Sequence, residues 1–420
     1  MDGRDRLVHA HEMKLSLKNI DKRLYPLMLG WLINTLGFGA VVPFMTVYFH
    51  TVRNIPMTYI SFFFLAAAIC RTIAQSLGGI ASDVIGRKGL MVWSQLSRAT
   101  IFLFAGIAIV GEWSAWLLGL ILLSQYLISS FFQPLASAMV ADILPSEERS
   151  NGYALMRMAH NIGWGLGPAI GGFLFSVSYQ SLFYFTAIAL LISGLLTIFT
   201  VKETAHKSVR QTPAKPLAGE PRKFGAMAAA FKEDKLFLFF CLVSLMLFLT
   251  WGQLVSTLSV FMSKNIGLSP TMIGWVYTFN SALVIAFQLF ITQRTKKVNH
   301  FLLMMIGSVL FFVSYFVMGW VNSFGMILFI MIFITFGEMF AGPSGHTLAS
   351  NMSKGGLHGK YQGIFSSVST LGWSLGPFIG GIMMDLIPNI KYFWITMSSF
   401  GLISFFGFLY LYLKKGDHAK

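Results

Sequence analysis

The sequence predicts an all-α membrane protein of twelve transmembrane helices, arranged as two pseudo-symmetric six-helix bundles. Three observations predict it. The chain of 420 residues is 55% hydrophobic and 11% charged, whereas an ordinary soluble domain carries about 25% charge. Its mean hydropathy of +0.68 is more apolar surface than a water-soluble fold can hide, so the solvent is lipid. And the decamer GWGLGPAIGG at Gly163 returns as GWSLGPFIGG at Gly372, eight identities in ten across a separation of 209 residues.

Apolar runs of roughly 20 residues, the length a bilayer requires, occur twelve times. They lie at 24–49, 57–82, 89–110, 114–140, 150–177, 181–201, 235–262, 270–292, 299–320, 324–349, 358–384 and 390–413. They are continuous rather than alternating at period two, which indicates helices and not a barrel. Residues 1–23 are polar and lack the apolar core of a cleavable signal, so the first span is expected to serve as the targeting signal. Residues 202–234 contain KETAHKSVRQTPAKPLAGEPRKF and read as a flexible tether between a first bundle, 24–201, and a second, 235–413. A basic interfacial helix on anionic lipid is the alternative for this segment. Residues 414–420 form a short tail.

Charge fixes the expected orientation. Of 31 Lys and Arg, 25 fall on the termini and one set of connections. Only Arg53, Lys264 and Lys391 fall on the other set, and Arg71, Arg98 and Arg157 lie within spans. Basic residues accumulate in the cytoplasm, so both termini are expected there, in a multi-pass protein of the plasma (cell inner) membrane. This asymmetry accounts for the net charge of +15 without a nucleic-acid partner. Cys70 and Cys241 sit apart in apolar runs and suggest neither a disulfide nor a metal site. No cofactor is implied, and the chain is expected to act as a monomer.

The repeat extends beyond the decamer. At the same offset Pro134 matches Pro343 and Asp142 matches Asn351, and FGAVVPFMTVYF (38–49) lies against WGQLVSTLSVFM (251–262) at an offset of 213. Parallel repeats of this kind characterise transporters that bind substrate near the midplane between their halves. Within the decamers, Gly163, Gly167, Gly171 and Gly172, with Gly372, Gly376, Gly380 and Gly381, let helices approach closely. Pro168 and Pro377 each remove a backbone donor and bend their helix. A bent, close-packed helix in each half is expected to form a rocking surface.

Between spans 2 and 3 stands GGIASDVIGRKGLMV, residues 78–92. It resembles the loop signature G-x-x-x-D-R-x-G-R-K of the major facilitator superfamily, at Gly79, Asp83, Gly86, Arg87 and Lys88, with Val84 in place of the first Arg. GPAIGG in span 5 is similar to the antiporter motif of that family's twelve-helix drug/proton branch, although Ala154 stands where a further Gly is expected. The resemblance implies the major facilitator fold and secondary transport by alternating access. It also implies that Asp83, Arg87, Lys88 and Asp142 form a cytoplasmic gate, with Arg donating in fork geometry to the acids. The bland alternative is a set of positive charges that retains the loop inside. The equivalent stretch of the second half, FITQRTKKVNH, keeps Lys296 and Lys297 but has Thr292 for the Asp, so the gate is expected to be asymmetric.

Charges within spans point to the substrate route, because an ionised group at the bilayer centre costs at least about 2.5–3.5 kcal/mol. Arg71 lies about 18 Å from the end of span 2 and Glu338 about 21 Å into span 10 at helical rise, both near the midplane. Glu338 is the carboxylate set well inside a span. Removal from water disfavours a carboxylate's charge, so Glu338 is expected to carry a coupling proton, with His346 a weaker candidate. The other candidate cavity residues are Asn34, Gln75, Gln133, Arg157, His160 and Gln253; lone amides in membrane helices more often join helices than bind ligands. Arg98 is expected to brace the bundle.

Family pumps for organic cations often carry carboxylates in the first bundle, where this chain carries arginines. That weakens cation export and leaves room for anionic, zwitterionic or amphipathic substrates, while the resemblance to the drug/proton branch favours proton-coupled efflux of small amphipathic molecules, of multidrug type. The alternatives are a proton-coupled carrier of an organic anion or lipid-like metabolite, and a non-transporting sensor or scaffold. No Ser-His-Asp set, HExxH or phosphate-binding loop is present, so an enzyme or an ATP-driven pump is not expected.

Overall fold

In a computed structural model the described residues are 21–145, 148–204, 234–353 and 358–415, and among them the regular structure is entirely helical. The side chains of Ile73, residues 75–85, Ser150 and Lys415 lie outside the description. So do most of the expected 1–23 segment, the 202–234 tether and the 414–420 tail.

Twelve helical units follow one another. The first six are α1 (Leu24–Val47, prolonged by a π turn Tyr48–Val52), α2 (Met57–Ile85), α3 (Arg87–Val110), α4 (Ala115–Ile143), α5 (Arg149–Val177) and α6 (Tyr179–Thr200). After the tether come α7 (Lys235–Trp251), α8 (Pro270–Arg294), α9 (His300–Met318), α10 (Phe324–Asn351), α11 (His358–Leu386) and α12 (Ile390–Lys415). Among the described residues nine are long and apolar enough to cross a membrane. The other three, α2, α5 and α11, are 29 residues each and are interrupted in sequence by more glycines and polar residues.

The short turns predicted between spans 3 and 4 and between spans 9 and 10 are real breaks. Ser114 and Ser323 each accept a hydrogen bond from the backbone N–H three residues on, at 3.3 and 3.4 Å, the ordinary way a helix start is capped. Two predicted spans are less regular than expected. Helix α4 is interrupted between Ser129 and Phe132, because Pro134 has no N–H and its ring clashes with the carbonyl one turn earlier. Helix α7 passes through a 3-10 turn, Gly252–Val255, before resuming as Thr257–Lys264.

The duplicated decamer has one geometry in both copies. Within the first bundle, Gly163, Gly167 and Gly171 pack on α1: a Cβ at Gly167 would stand 2.8 Å from Gly39 C and Ala40 N. Within the second, Gly372, Gly376 and Gly380 pack on α7, where a Cβ at Gly376 would stand 2.7 Å from Leu249 O. The last glycine of each copy turns to the opposite bundle. Gly172 meets the carbonyl of Pro270, and Gly381 meets Met57 O and Ser61 Oγ. The proline carbonyls repeat the pattern: Pro168 O abuts Gly274, while Pro377 O accepts from Ser61 Oγ at 3.2 Å. Met57 and Pro270 are 213 apart in sequence, as are Ser61 and Gly274, so one interface is written twice about a pseudo-twofold axis. The stripe expected to be the rocking surface is thereby corrected. Its i, i+4, i+8 glycines hold each bundle together, and the surface between bundles is formed by Gly172, Gly381 and the proline carbonyls. Substituting Gly167→Leu is expected to cost about 1–3 kcal/mol of stability by overpacking α1, read as a lowered Tm of the purified protein.

The bundles meet at the end bearing the 53–56 loop. There Asp385 at the end of α11 accepts from Met57 N (3.2 Å), Thr58 N (2.7 Å) and Thr58 Oγ1 (2.7 Å), capping α2 from the other bundle. Lys264 Nζ stands 3.3 Å from His50 Nε2. Lower down, Thr278 Oγ1 donates to Gly165 O at 2.8 Å. Hydrogen bonds found between the bundles among the described residues lie from that level to the loop end. On the far side, Arg157 and Met158 of α5 and Ser366 and Thr370 of α11 are exposed. Asp385→Ala removes a cap worth about 1 kcal/mol and is expected to loosen this end. Distances between spin labels on the 53–56 and 265–269 loops would read it; an unchanged distribution would contradict the cap's role.

Candidate functional site

Between the bundles, at the level where they part, lies a cavity of about 460 Å³, within the roughly 300–1,000 Å³ of small-molecule sites. Its first-bundle wall is aromatic. Phe38 of α1 meets Tyr126 of α4 edge-on at 6.0 Å and Trp164 of α5 at 6.1 Å, and Trp164 stacks on His160 at 6.4 Å. From the second bundle come Glu338 on α10 and Trp373, Ser374 and Pro377 on α11.

Arg71 and Glu338, predicted at the midplane from opposite halves, both line this one cavity. Arg71 lies over the Tyr126 ring, 5.6 Å from its centroid. Glu338 accepts from Asn280 Nδ2 at 3.3 Å, and Asn280 also donates to Thr335 Oγ1 at 2.8 Å. A neighbouring amide thus orients the carboxyl without neutralising it. Asn34, Gln133 and His160 line the cavity as well. Arg98 is 2% exposed. Its Nη1 donates to Asn34 Oδ1 at 2.8 Å, which is the bracing expected, yet its side chain also forms part of the cavity wall.

Three expected site residues stand elsewhere. Gln253 is buried in the seam between α7 and α11, where Nε2 donates to Leu249 O and Gly376 O at 3.0 and 2.9 Å and Oε1 accepts from Thr257 Oγ1 at 2.8 Å; every polar group it has is spent on packing. His346 is exposed two turns beyond Glu338, with Nδ1 3.1 Å from Gln362 Oε1, and it lies outside the cavity. Arg157 is exposed nearly one turn from His160 and likewise does not contribute to the wall. The side chains of Gln75 and Asp83 lie outside the described residues. Asn280 and Tyr126 were not singled out from sequence: an amide and a phenol inside apolar runs look like many others until helix rotation is known.

At the terminal end, Gly86 adopts φ +93° at the start of α3, a conformation that side chains disfavour and the reason glycine holds this place in the loop signature. Arg87 Nη1 donates to Ala138 O at 2.8 Å and pairs with Asp142 on α4. Lys88 Nζ donates to Ile198 O at 2.7 Å. Glu203, which sequence reasoning missed, accepts from Arg87 N and Lys88 N at 3.1 Å each, placing a carboxylate at the positive end of α3. The loop is thus tied to α4 and α6 of its own bundle. In the second half Thr292 accepts from Gln288 Nε2 at 3.0 Å instead. The Arg87 and Asp142 side chains are 23% and 20% exposed, so an Arg87→Ala/Asp142→Ala cycle is expected to return a coupling of about 1 kcal/mol in thermal unfolding.

Two pseudo-symmetric helical bundles around a central cavity define a multi-pass membrane transporter. The chain belongs to the major facilitator superfamily, whose sequence profile matches residues 27–260 and 240–420. It is 25% identical over 405 residues to an MFS-type transporter of Bacillus subtilis, YqjV, covering 94% of this chain and 96% of that one. It is 24% identical to the multidrug resistance protein MdtH of Yersinia enterocolitica, covering 91% and 92%. Its fold is shared with the crystal structure of the nucleoside transporter NupG, with a TM-score of 0.75 at 15% identity over 93% of this chain and 99% of that chain. Such proteins move small molecules across membranes and are not enzymes.

Proposed function

We propose that the protein exports small amphipathic molecules across the plasma membrane by alternating access, driven by protons. The observation that carries this reading is the position of Glu338: a carboxyl on the second bundle, held by Asn280 and bordering the cavity that both bundles enclose. A proton bound there changes the charge of the cavity in the same place where substrate would sit, so the two occupancies are linked through one wall. The seal at the loop end is built from close glycine contacts, capping hydrogen bonds and the Phe62–Phe378 ring contact. Similarity to MdtH, a multidrug resistance protein, supports export, and the aromatic wall around Phe38 and Trp164 is suited to an amphipathic substrate.

The test is reconstitution of the full chain in liposomes with an imposed pH gradient. Substrate movement against its own gradient, lost on adding a proton ionophore, is the expected result. Movement of neither protons nor any amphipathic probe would overturn transport in favour of a sensor or scaffold role.

A further inference from the structure

The cavity is unbalanced in charge. Its described lining holds two guanidinium groups, Arg71 and Arg98, against one carboxyl, Glu338. Among the described residues neither arginine has a carboxylate within salt-bridge distance. Arg98 is the more telling of the two: at 2% exposure its Nη1 is spent on neutral Asn34, and its Nε has no hydrogen-bond partner. Its guanidinium carbon stands 5.9 Å from the centroid of Phe38, and Arg71 lies similarly over Tyr126. Aromatic faces attract cations, but they accept no N–H in the plane of the guanidinium. A buried charge ordinarily has an ionic partner; among the described residues Arg98 has none, and its side chain forms part of the wall of the central cavity.

We infer that this wall is an anion subsite, and that the transported molecules are aromatic or amphipathic organic anions whose carboxylate lies against Arg98 and Arg71. The guanidinium presents its donors in a fork that matches a carboxylate. The apolar body of the molecule then extends along Trp164 toward Trp373 on the wall of the other bundle. Glu338 stands on the wall of the other bundle, engaged by Asn280, and among the described residues it pairs with neither arginine. A cation fits this arrangement poorly, because it would face two like charges on one wall. The assignment rests on the proposed function only in taking this cavity as the transport site; the binding site itself does not require the direction or coupling of the cycle.

Three probes of one shape separate charge from bulk: 2-naphthoate, neutral 2-naphthamide and cationic 2-naphthylmethylammonium. Binding to the purified full chain is measured by thermal shift and calorimetry. The expected result is stabilisation by naphthoate in preference to the other two. Arg98→Ala is expected to weaken naphthoate by about 10- to 100-fold, the loss typical of a hydrogen bond to a charged group, and Arg71→Ala to weaken it as well, with naphthamide unaffected by either. Should Arg98→Ala fail to fold, Arg98→Lys keeps the charge without the fork and is expected to weaken naphthoate by a smaller factor. Equal or better stabilisation by the cation, no stabilisation by any probe, or naphthoate affinity unchanged in the arginine variants overturns the anion subsite. Proton-driven flux of the cation without naphthoate binding also overturns it, while leaving the proposed function standing. Naphthoate binding that is lost in Arg98→Ala, in a protein that moves nothing in liposomes, supports the subsite and removes the proposed function instead.

Discussion

Glu338→Gln is expected to reduce pH-gradient-driven transport to the level of empty liposomes while leaving exchange of substrate between equal compartments in place. Glutamine keeps the shape of the side chain, and its oxygen still accepts from Asn280 Nδ2, which stands 3.3 Å from the native carboxylate. What it removes is the proton-binding step. Equilibrium exchange needs only that the loaded cavity change its exposure from one side to the other, whereas accumulation needs the proton to be carried on that cycle. The two assays therefore separate coupling from folding and from binding. Loss of both would mean that Glu338 supports the bundle rather than the coupling. Undiminished accumulation would remove it from the proton route, and attention would pass to groups outside the central cavity.

Replacing both interface glycines, Gly172→Leu with Gly381→Leu, is expected to hold the loop end apart. Side chains at these positions would run into the Pro270 carbonyl and into Ser61 and Met57 O of the facing bundle. Backbone cannot rotate away as a flexible side chain can. Overpacking of this kind costs about 1–3 kcal/mol per site, and each 1.4 kcal/mol changes a population tenfold. The state in which the bundles close at this end is thus depopulated by roughly 25-fold or more in the double variant, provided the costs add across two separate sites. Spin-label distances across the loop end would lengthen, and transport would stop because one of the two required states is missing. Native Cys70 and Cys241, both unpaired, must first be replaced. The contrast with Gly167→Leu is informative. That change acts inside one bundle and lowers Tm, whereas the interface pair shifts the balance between states and leaves each bundle intact. An unaltered distance distribution in the double variant would show that the two glycines do not govern closure.

How much of this was legible beforehand differs from residue to residue. Glu338 and Arg71 were found because charge in hydrocarbon is costly wherever it occurs, so depth along a helix was enough to single them out. Gln253 and Asn280 show the opposite case. Both are amides within apolar runs, and nothing in the letters distinguishes the one that packs α7 on α11 from the one that holds the cavity's carboxyl. Membrane helices are apolar on nearly every face, so the periodic stripe that marks the buried side of a soluble helix is faint here. Helix rotation, and with it the destination of each side chain, is left to packing. His346 and Arg157 were misplaced for the same reason, and Arg98 was expected only as a brace because its second role depends on which helix wall it reaches.

The sequence by itself determined the solvent, the helical spans, the duplicated halves and the superfamily. Each follows from composition, run length or repeated letters, all of which are local or additive properties of the chain. The tertiary structure alone decided which glycines bind a bundle together and which face the other bundle, and it alone brought Arg71, Arg98 and Glu338 to one cavity. Those facts depend on the rotation and mutual approach of helices far apart in the chain, which are set by close packing between surfaces and not by any single segment.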